Sequence, residues 1–333
     1  MPVKLAEVYR GRVLESTHAG SIVAADSKGN ILFTLGEPER KTFFHSAAKP
    51  LQSIAALEAG AVEKFGFDLK EIAIMMSSHS GQKEHIETLH GIMAKLGINE
   101  DTLQCGIHEP LDKEEAKELR AAGLLPTKLH CNCSGKHLSF IAASLTKGLP
   151  VEEYHFPDRI LQNDVRKVIS DFGRLQYEDI ITGIDGCSVP VYGMPLVNMA
   201  IAYANLCSED FLDGRYKKSQ NYILSAMTMY PEMIAGRDRF DTEAMKFFGD
   251  RLITKMGAEG ICCIGLVGKG TGIAIKIEDG SARAVEPVAL ETLLQMKILS
   301  QDEAVKLEKH RKPQILSHKG EKIGEVVADF KLS

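Results

Sequence analysis

Three short motifs place serine and lysine in a fixed order along the chain. Ser46 and Lys49 lie three positions apart, Ser78 belongs to a second serine motif, and Lys255 comes just before Gly257. This order is typical of enzymes that form an acyl intermediate on a serine. Since a serine hydroxyl needs a base, we expect Lys49 to act as a neutral amine, which burial and the cation of Lys255 favour. Ser78 is expected to relay the proton, and the bare backbone of Gly257 to admit the substrate closely.

Each motif also has a purely structural explanation. Ser46 can cap a helix, Lys49 can be a solvated surface charge, and Ser78 can lie in an ordinary loop. Short motifs often match by chance, so one motif alone favours this explanation, whereas the order of all three favours catalysis. Because Pro50 is tolerated only near a helix start, we expect the helix to begin close to Ser46. The Ser46 hydroxyl would then lie beside amides that stabilise an oxyanion.

A second cluster of reactive side chains lies in the segment HCNCSGKH, residues 130–137, and is followed by Asp185 and Cys187 in IDGCSVP. Thiolate and imidazole are zinc ligands, although the spacing is not that of a zinc finger. Two other interpretations remain open. The cysteines can fill small apolar holes in tight turns, or the segment can bind substrate. In the second case Ser134 and Gly135 would open a helix whose amides suit a carboxylate, and Asp185 would hold an ammonium group.

The pattern of elements predicts an α/β (α+β) fold of two lobes. The first 45 residues favour strands, including a hairpin with its turn at 27–30. Helical periodicity begins at Ser46 and dominates the middle, and strands return near the end. We therefore predict a single catalytic domain, 1–333, with a sheet lobe at about 1–45 and 250–333 and a helical lobe at about 46–249. Helices are predicted at 83–96, from 112, at 134–147, 194–206, 218–230 and 287–297, and strands at 260–267, 272–277 and 322–330.

Composition excludes several classes of function. The chain has 333 residues, of which 44% are hydrophobic and 26% charged, and its net charge is -5. The acidic balance argues against nucleic acid or an anionic membrane as a partner. No leader pattern and no apolar run of about 20 residues is seen, so we expect a cytoplasmic protein. Its seven cysteines are expected to be reduced, and the pair Cys262 and Cys263 to lie in a buried strand.

The motifs together resemble the Rhizobium etli-type (class 3) L-asparaginases, the asparaginase II family of serine–lysine amidohydrolases. The resemblance covers nearly the whole chain. It implies the fold of the penicillin-binding proteins, class A-type β-lactamases and serine-dependent glutaminases, with an antiparallel sheet built from both termini around an inserted helical lobe. The segments that carry the resemblance are HSAAKP, SSHSG, LHCNCSGKH, GIDGCSVP, PEMIAGRDRF and KMGAEG.

The resemblance also implies roles for individual residues. Gln82 departs from the family pattern, where glutamate is common, and Met256 takes the place of a threonine. A homodimer is implied as well. The matching residues are the nucleophile Ser46, its partner Lys49, the second serine Ser78 and the second lysine Lys255, the zinc ligands Cys133, Lys136 and Cys187, and the pocket residues His137 and Asp185.

By this resemblance the chain is an L-asparaginase that hydrolyses L-asparagine to L-aspartate and ammonia through an acyl-enzyme. A glutaminase or a β-lactam-active enzyme on the same fold is the first alternative, because one methylene is usually discriminated by only ~1–3 kcal/mol. The second alternative is a non-catalytic protein that binds zinc or an amino acid on this scaffold. The presence of all four proposed catalytic groups argues against it.

Overall fold

Strands from both ends of the chain pair into one antiparallel sheet in the computed structural model, which describes residues 1–332. Ser333, the last residue of the predicted sheet lobe, lies outside the described residues. The strands are β1 (Val3–Arg10), β2 (Val13–Asp26), β3 (Ile31–Leu35), β4 (Lys41–Phe43), β5 (Ile181–Ile184), β6 (Pro190–Pro195), β7 (Leu252–Met256), β8 (Ile261–Leu266), β9 (Thr271–Ile277), β10 (Gln314–Leu316) and β11 (Lys322–Ala328).

The main sheet has eight strands in the order β10-β11-β1-β2-β9-β8-β7, with β3 paired to β2. It confirms the prediction of a sheet built from both termini. The predicted hairpin is the β2–β3 pair, whose turn is closed by hydrogen bonds from Lys28 N and Asn30 N to Asp26 Oδ1 at 2.9 and 2.8 Å. Gly29 has a φ of 94°, a left-handed conformation that glycine adopts without strain.

A second, three-stranded sheet, β4-β6-β5, differs from the expectation that helices fill the middle of the chain. Every residue of β6 is buried, so the strand shows no alternation of polar and apolar residues. β5 has four residues and ends directly before Asp185. This small sheet carries the IDGCSVP turn between β5 and β6, and the sequence pattern could not reveal it.

The described residues also contain fourteen α-helices. The helices predicted at 83–96 and 134–147 have those bounds in the structure, and Gly97 and Gly148 end them with φ of 68° and 67°. The helices are α1 (Lys49–Glu58), α2 (Ala61–Phe65), α3 (Leu69–Met75), α4 (Lys83–Leu96), α5 (Lys113–Ala121), α6 (Ser134–Lys147), α7 (Ile160–Gly173), α8 (Leu196–Leu206), α9 (Lys217–Met229), α10 (Pro231–Ile234), α11 (Phe240–Phe248), α12 (Ala282–Gln295), α13 (Gln301–Ala304) and α14 (Glu308–Arg311).

Two helix starts differ from their predictions by three residues or more. The helix expected at Ser46 begins at Lys49, because a 3-10 turn, His45–Ala48, precedes it and Pro50 is its second residue. The helix expected at 287–297 begins at Ala282, so that Pro287 lies inside α12 rather than at its start.

The main sheet separates two hydrophobic cores. Val23 and Ala25 of β2 face a core formed with α1, α6 and α8, whereas Ile22 and Ala24 face a core formed with α11 and α12. The period of two along the strand thus packs helices on both faces. Among residues 1–332, none of the helices is both long and apolar enough to cross a membrane.

His310 joins α14 to the helices on the second face of the sheet. Its Nδ1 lies 2.9 Å from Glu286 Oε2, and its Nε2 lies 2.9 Å from Glu243 Oε2. Burial lowers the pKa of His310, but the two carboxylates outweigh it and raise that pKa above the usual 6.5. The stabilisation is therefore fully present below the pKa of the unfolded chain and is lost as the pH rises through the folded pKa.

We expect His310→Gln to lower the free energy of unfolding by about 1.5–3 kcal/mol at pH 5.5, because two hydrogen bonds to charged groups are lost. Urea titrations of both proteins at pH 5.5 measure this loss. The loss should be smaller when the titrations are repeated at pH 9. An equal loss at both pH values would show that packing, not the charge of His310, stabilises this contact.

Candidate active site

Ser46 lies in the 3-10 turn directly before α1. Lys49 N donates to Ser46 O, so the two side chains belong to consecutive turns. Ser46 is half-buried, whereas Lys49 is fully buried. His45 has a φ of 46°, and a non-glycine residue in this region costs about 1–3 kcal/mol. Such strained residues concentrate at functional sites, and this one comes immediately before the candidate nucleophile.

Gly257 packs against the backbone of the Ser46 turn. A Cβ at Gly257 would lie 3.2 Å from Phe44 O and 3.3 Å from Ala47 N. The expectation that this glycine admits the substrate closely is not supported, because the group that approaches it is the protein's own chain. Gly257 instead lets the end of β7, which carries Lys255, lie against the turn that carries Ser46.

The amine of Lys49 contacts three oxygen atoms. It lies 2.5 Å from Ser77 O, 3.0 Å from Ser78 Oγ and 3.4 Å from Asn132 O. The two carbonyl oxygens can only accept hydrogen bonds, so two N–H groups must point to them. The remaining tetrahedral position faces Ser78. Ser78 is therefore the side chain with which Lys49 can exchange a proton in this geometry.

Lys255 is buried at the end of β7. Its Nζ lies 3.3 Å from Asp241 Oδ2 and 2.9 Å from Met256 O. Burial lowers the pKa of Lys255 to about 8, the cations of Lys49 and Arg239 act in the same direction, and the Asp241 carboxylate opposes them. An amine with a pKa near 8 can both give and take a proton close to neutral pH.

Lys136 and Cys187 form the centre of the cysteine cluster, with Lys136 Nζ 3.1 Å from Cys187 Sγ. Cys133, at the N-terminus of α6, lies beside them. Hydrogen bonds from Cys131 and Cys187, and the charges of the buried lysines, lower the pKa of Cys133 well below its usual range. Its hydrogen bond to Cys133, together with burial, raises the pKa of Cys187. Burial opposes the charge on Lys136, but the negative groups around it outweigh burial and raise the pKa of that amine.

The predicted zinc ligands come together in this cluster. Within residues 1–332, no three histidine, cysteine or carboxylate side chains gather in a way that could hold a metal, so Lys136 is needed as the third donor. Two sulfurs and one nitrogen, all buried, are donors that suit zinc and leave a fourth position open. The residues therefore fit the ion. Binding would displace the protons of Cys187 and Lys136, the two ligands whose pKa is raised.

Asp185 connects the two halves of the site. Its Oδ1 lies 3.4 Å from His45 Nδ1, beside Ser46, and its Oδ2 lies 3.9 Å from Lys136 Nζ. Burial raises the pKa of Asp185, but the hydrogen bond with His45 and the charge of Lys136 hold it below its usual value. The side chain is 17% exposed, so a carboxylate that stays ionised can reach a ligand.

His137 is fixed by Tyr154, whose hydroxyl lies 2.6 Å from its Nδ1. Burial, and then the charge of Lys136, lowers the pKa of His137 to about 3. The imidazole is therefore neutral. Its Nε2 is buried and has no hydrogen-bond partner among the described residues.

Ser134 and Gly135 stay predictions as substrate-binding residues, and the structure places both in packing contacts at the start of α6. Ser134 N donates to Cys131 O at 2.9 Å, and its hydroxyl contacts His79 Nε2 at 2.8 Å and Leu129 O at 3.1 Å. Gly135 is buried against α3, where a Cβ would lie 2.0 Å from Ile74 O. Both residues pack the start of α6 against the protein.

Sequence reasoning missed Asp241 and the two carbonyl oxygens that hold Lys49. Asp241 directly follows the segment PEMIAGRDRF, and its place between apolar Phe240 and the rest of the first helical turn was the available signal. The carbonyls of Ser77 and Asn132 lie inside quoted motifs, but backbone contacts carry no side-chain signal. Gln82 Nε2 donates to Asp112 Oδ2 at 3.0 Å, and a glutamate there would bring two carboxylates together.

A family model described as L-asparaginase II matches residues 6–328. No curated protein matches the chain in sequence. Native Mglu is 14% identical over 84% of this chain and 65% of the Mglu chain, with a TM-score of 0.39. A Bacillus glutaminase is 13% identical over 84% of this chain and 91% of its own, with a TM-score of 0.38. A β-lactamase candidate from Bacteroides dorei is 11% identical over 82% of this chain and 92% of its own, with a TM-score of 0.43. The chain thus spans less than two thirds of the length of Mglu.

Proposed function

The chain belongs to the L-asparaginase II family, and from that premise we propose that it is an amidohydrolase that converts L-asparagine to L-aspartate and ammonia. The observation that carries the proposal is the contact between Lys49 and Ser78 at 3.0 Å, one turn from Ser46. It brings the first two motifs together in a buried centre, and Gly257 packs the third against them.

In the proposed reaction Ser46 Oγ attacks the side-chain carboxamide carbon. Its proton passes to the amine of Lys49 through the hydroxyl of Ser78. Ammonia leaves after it takes up a proton, and Lys255 can supply one because its pKa is about 8. Water then attacks the ester of Ser46, which releases L-aspartate and restores the serine.

Asp185 is the proposed partner of the substrate ammonium group. It is ionised, partly exposed and in contact with the Ser46 turn through His45. His137 is proposed to line the same pocket as a neutral group, since a charged imidazole there would face Lys136. These two side chains would orient the amino acid while Ser46 attacks its other end.

Zinc is the proposed metal, held by Cys133, Lys136 and Cys187, and when bound it would act as a Lewis acid that polarises a nearby group. We expect about one zinc per chain after purification, as measured by mass spectrometry of the dialysed protein. Cys187→Ser should lower the zinc content and the affinity about 10-fold or more. Cys207 is a buried thiol outside the cluster. Cys207→Ala should therefore leave the zinc content and the zinc affinity unchanged.

The pH dependence gives a second measurement of the same site. Because zinc displaces protons from its ligands, the affinity should fall from pH 8 to pH 5.5. Equal zinc content in the wild type and Cys187→Ser would contradict the proposed ligands. So would an affinity that does not change with pH.

The test of the proposed function is ammonia release from L-asparagine and L-glutamine, side by side, with and without added zinc. Release mainly from L-asparagine would support the asparaginase. Release mainly from L-glutamine would retain the serine–lysine chemistry and replace the substrate. No release from either with zinc supplied would contradict both substrates, and with them the proposed asparaginase. The homodimer and the cytoplasmic location stay predictions, and light scattering of the purified protein would test the first.

A further inference from the structure

Asp241 is a buried carboxylate, 1% exposed, that reaches from α11 to the end of β7. Both of its oxygens accept Met256 N, at 3.1 and 3.0 Å. Thr254 Oγ1 donates to Oδ1 at 3.2 Å, and Lys255 Nζ donates to Oδ2 at 3.3 Å. One carboxylate therefore holds three consecutive residues of β7, and the middle one is Lys255.

The charged and titratable groups that face Lys255 come from three elements. Asp241 lies on α11, Arg239 at the start of that helix, Lys49 on α1 and Cys262 on β8. Burial raises the pKa of the Cys262 thiol, so this group is neutral. Asp241 is thus the negative charge in a group that otherwise contains cations. A buried ammonium beside two other cations is disfavoured unless an anion compensates.

We propose that Asp241 is the positioning residue of the active site: it fixes the side chain of Lys255 and sets the pH at which that amine loses its proton. The inference rests on the proposed function only for the role of Lys255 in the reaction. Without the carboxylate, burial and the cations of Lys49 and Arg239 would act on Lys255 unopposed. Its proton would then be lost at lower pH.

The proton of Lys255 can be followed directly by NMR of protein labelled with ¹³C-lysine. The Cε signal of Lys255 is identified as the one that Lys255→Met lacks. In the wild type we expect its titration near pH 8. In Asp241→Asn, which has the same shape and no charge, the midpoint should fall by roughly 1–3 pH units. Where the asparagine variant fails to fold, Asp241→Ser removes the same charge and should give the same sign.

Two control variants separate charge from structure. Thr254→Val removes the hydrogen bond that an uncharged hydroxyl donates to Asp241. It should leave the titration midpoint of Lys255 in place. Asp241→Glu retains the charge and should bring the midpoint back toward the wild-type value. A midpoint that stays or rises in the folded neutral variants would overturn the inference, since a purely structural carboxylate would not move it in this direction.

The activity profile distinguishes this inference from the proposed function. The limb of kcat/KM that reports Lys255 should move to lower pH in Asp241→Asn, together with the NMR midpoint. A shifted midpoint in a protein that releases no ammonia would retain the role of Asp241 and refute the asparaginase. Ammonia release from L-asparagine with an unshifted midpoint would support the asparaginase and refute the role of Asp241.

Discussion

Ser46→Ala is expected to lower kcat for L-asparagine by about 10⁴- to 10⁶-fold, since removal of a serine nucleophile can cost up to about 2 × 10⁶ in kcat. The physical reason is that the amine of Lys49 and the hydroxyl of Ser78, 3.0 Å apart, then have no nucleophile to activate. Ammonia release at saturating L-asparagine measures the effect. A small rate should survive, because the site still binds and orients the substrate.

Ser53→Ala is the matched control. Ser53 lies on α1, one turn beyond Lys49, and its hydroxyl donates to Met75 O at 3.2 Å inside the core. Its loss should cost about 1 kcal/mol of stability and leave kcat within a few-fold of the wild type. If Ser46→Ala retained more than a tenth of wild-type turnover, Ser46 would not be the nucleophile. Ser78, whose hydroxyl contacts the amine of Lys49, would then be the next residue to test.

The parts of the fold that could be predicted are those with a local signal. The helix at 134–147 ends at Gly148 because periodicity stops there and a left-handed residue follows. The hairpin before β3 has its turn residues in sequence. By contrast, α7 was missed although Leu161, Val165, Val168 and Phe172 recur at helical spacing and are buried. The sequence therefore contains the periodic signal for this helix, although no helix was predicted there.

The candidate site divides in the same way. Ser46, Lys49 and Ser78 could be found because their order along the chain carries a signal. The role of Asp241 could not, because its partner Lys255 lies on a strand that only the packed fold brings to α11. The packing role of Gly257 could not be predicted either. Its neighbours are backbone atoms of the Ser46 turn, more than two hundred positions earlier, and no local rule predicts such a contact.

Gly135→Ala is expected to cost about 3 kcal/mol of folding free energy, although alanine is normally the better helix residue. The added Cβ would lie 2.0 Å from Ile74 O, a backbone atom that cannot rotate away. Either α6 or the end of α3 must move. Ile74 O also accepts Ser77 N at 3.1 Å, and Lys136 is the next residue of α6. The displacement would therefore reach both halves of the site, and kcat/KM should fall with the stability.

The same substitution at Gly91 is expected to have the opposite effect on stability. Gly91 lies in the middle of α4, and the nearest atom to an added Cβ is Glu71 Oε1 at 3.9 Å. Alanine should raise the free energy of unfolding by about 0.5–1 kcal/mol there and leave activity unchanged. Urea titrations of both variants measure the expected loss of stability in Gly135→Ala and the expected gain in Gly91→Ala. If Gly135→Ala were as stable as the wild type, α3 and α6 could separate without cost. The close contact between them would then not be what holds Ser78 and Lys136 in place.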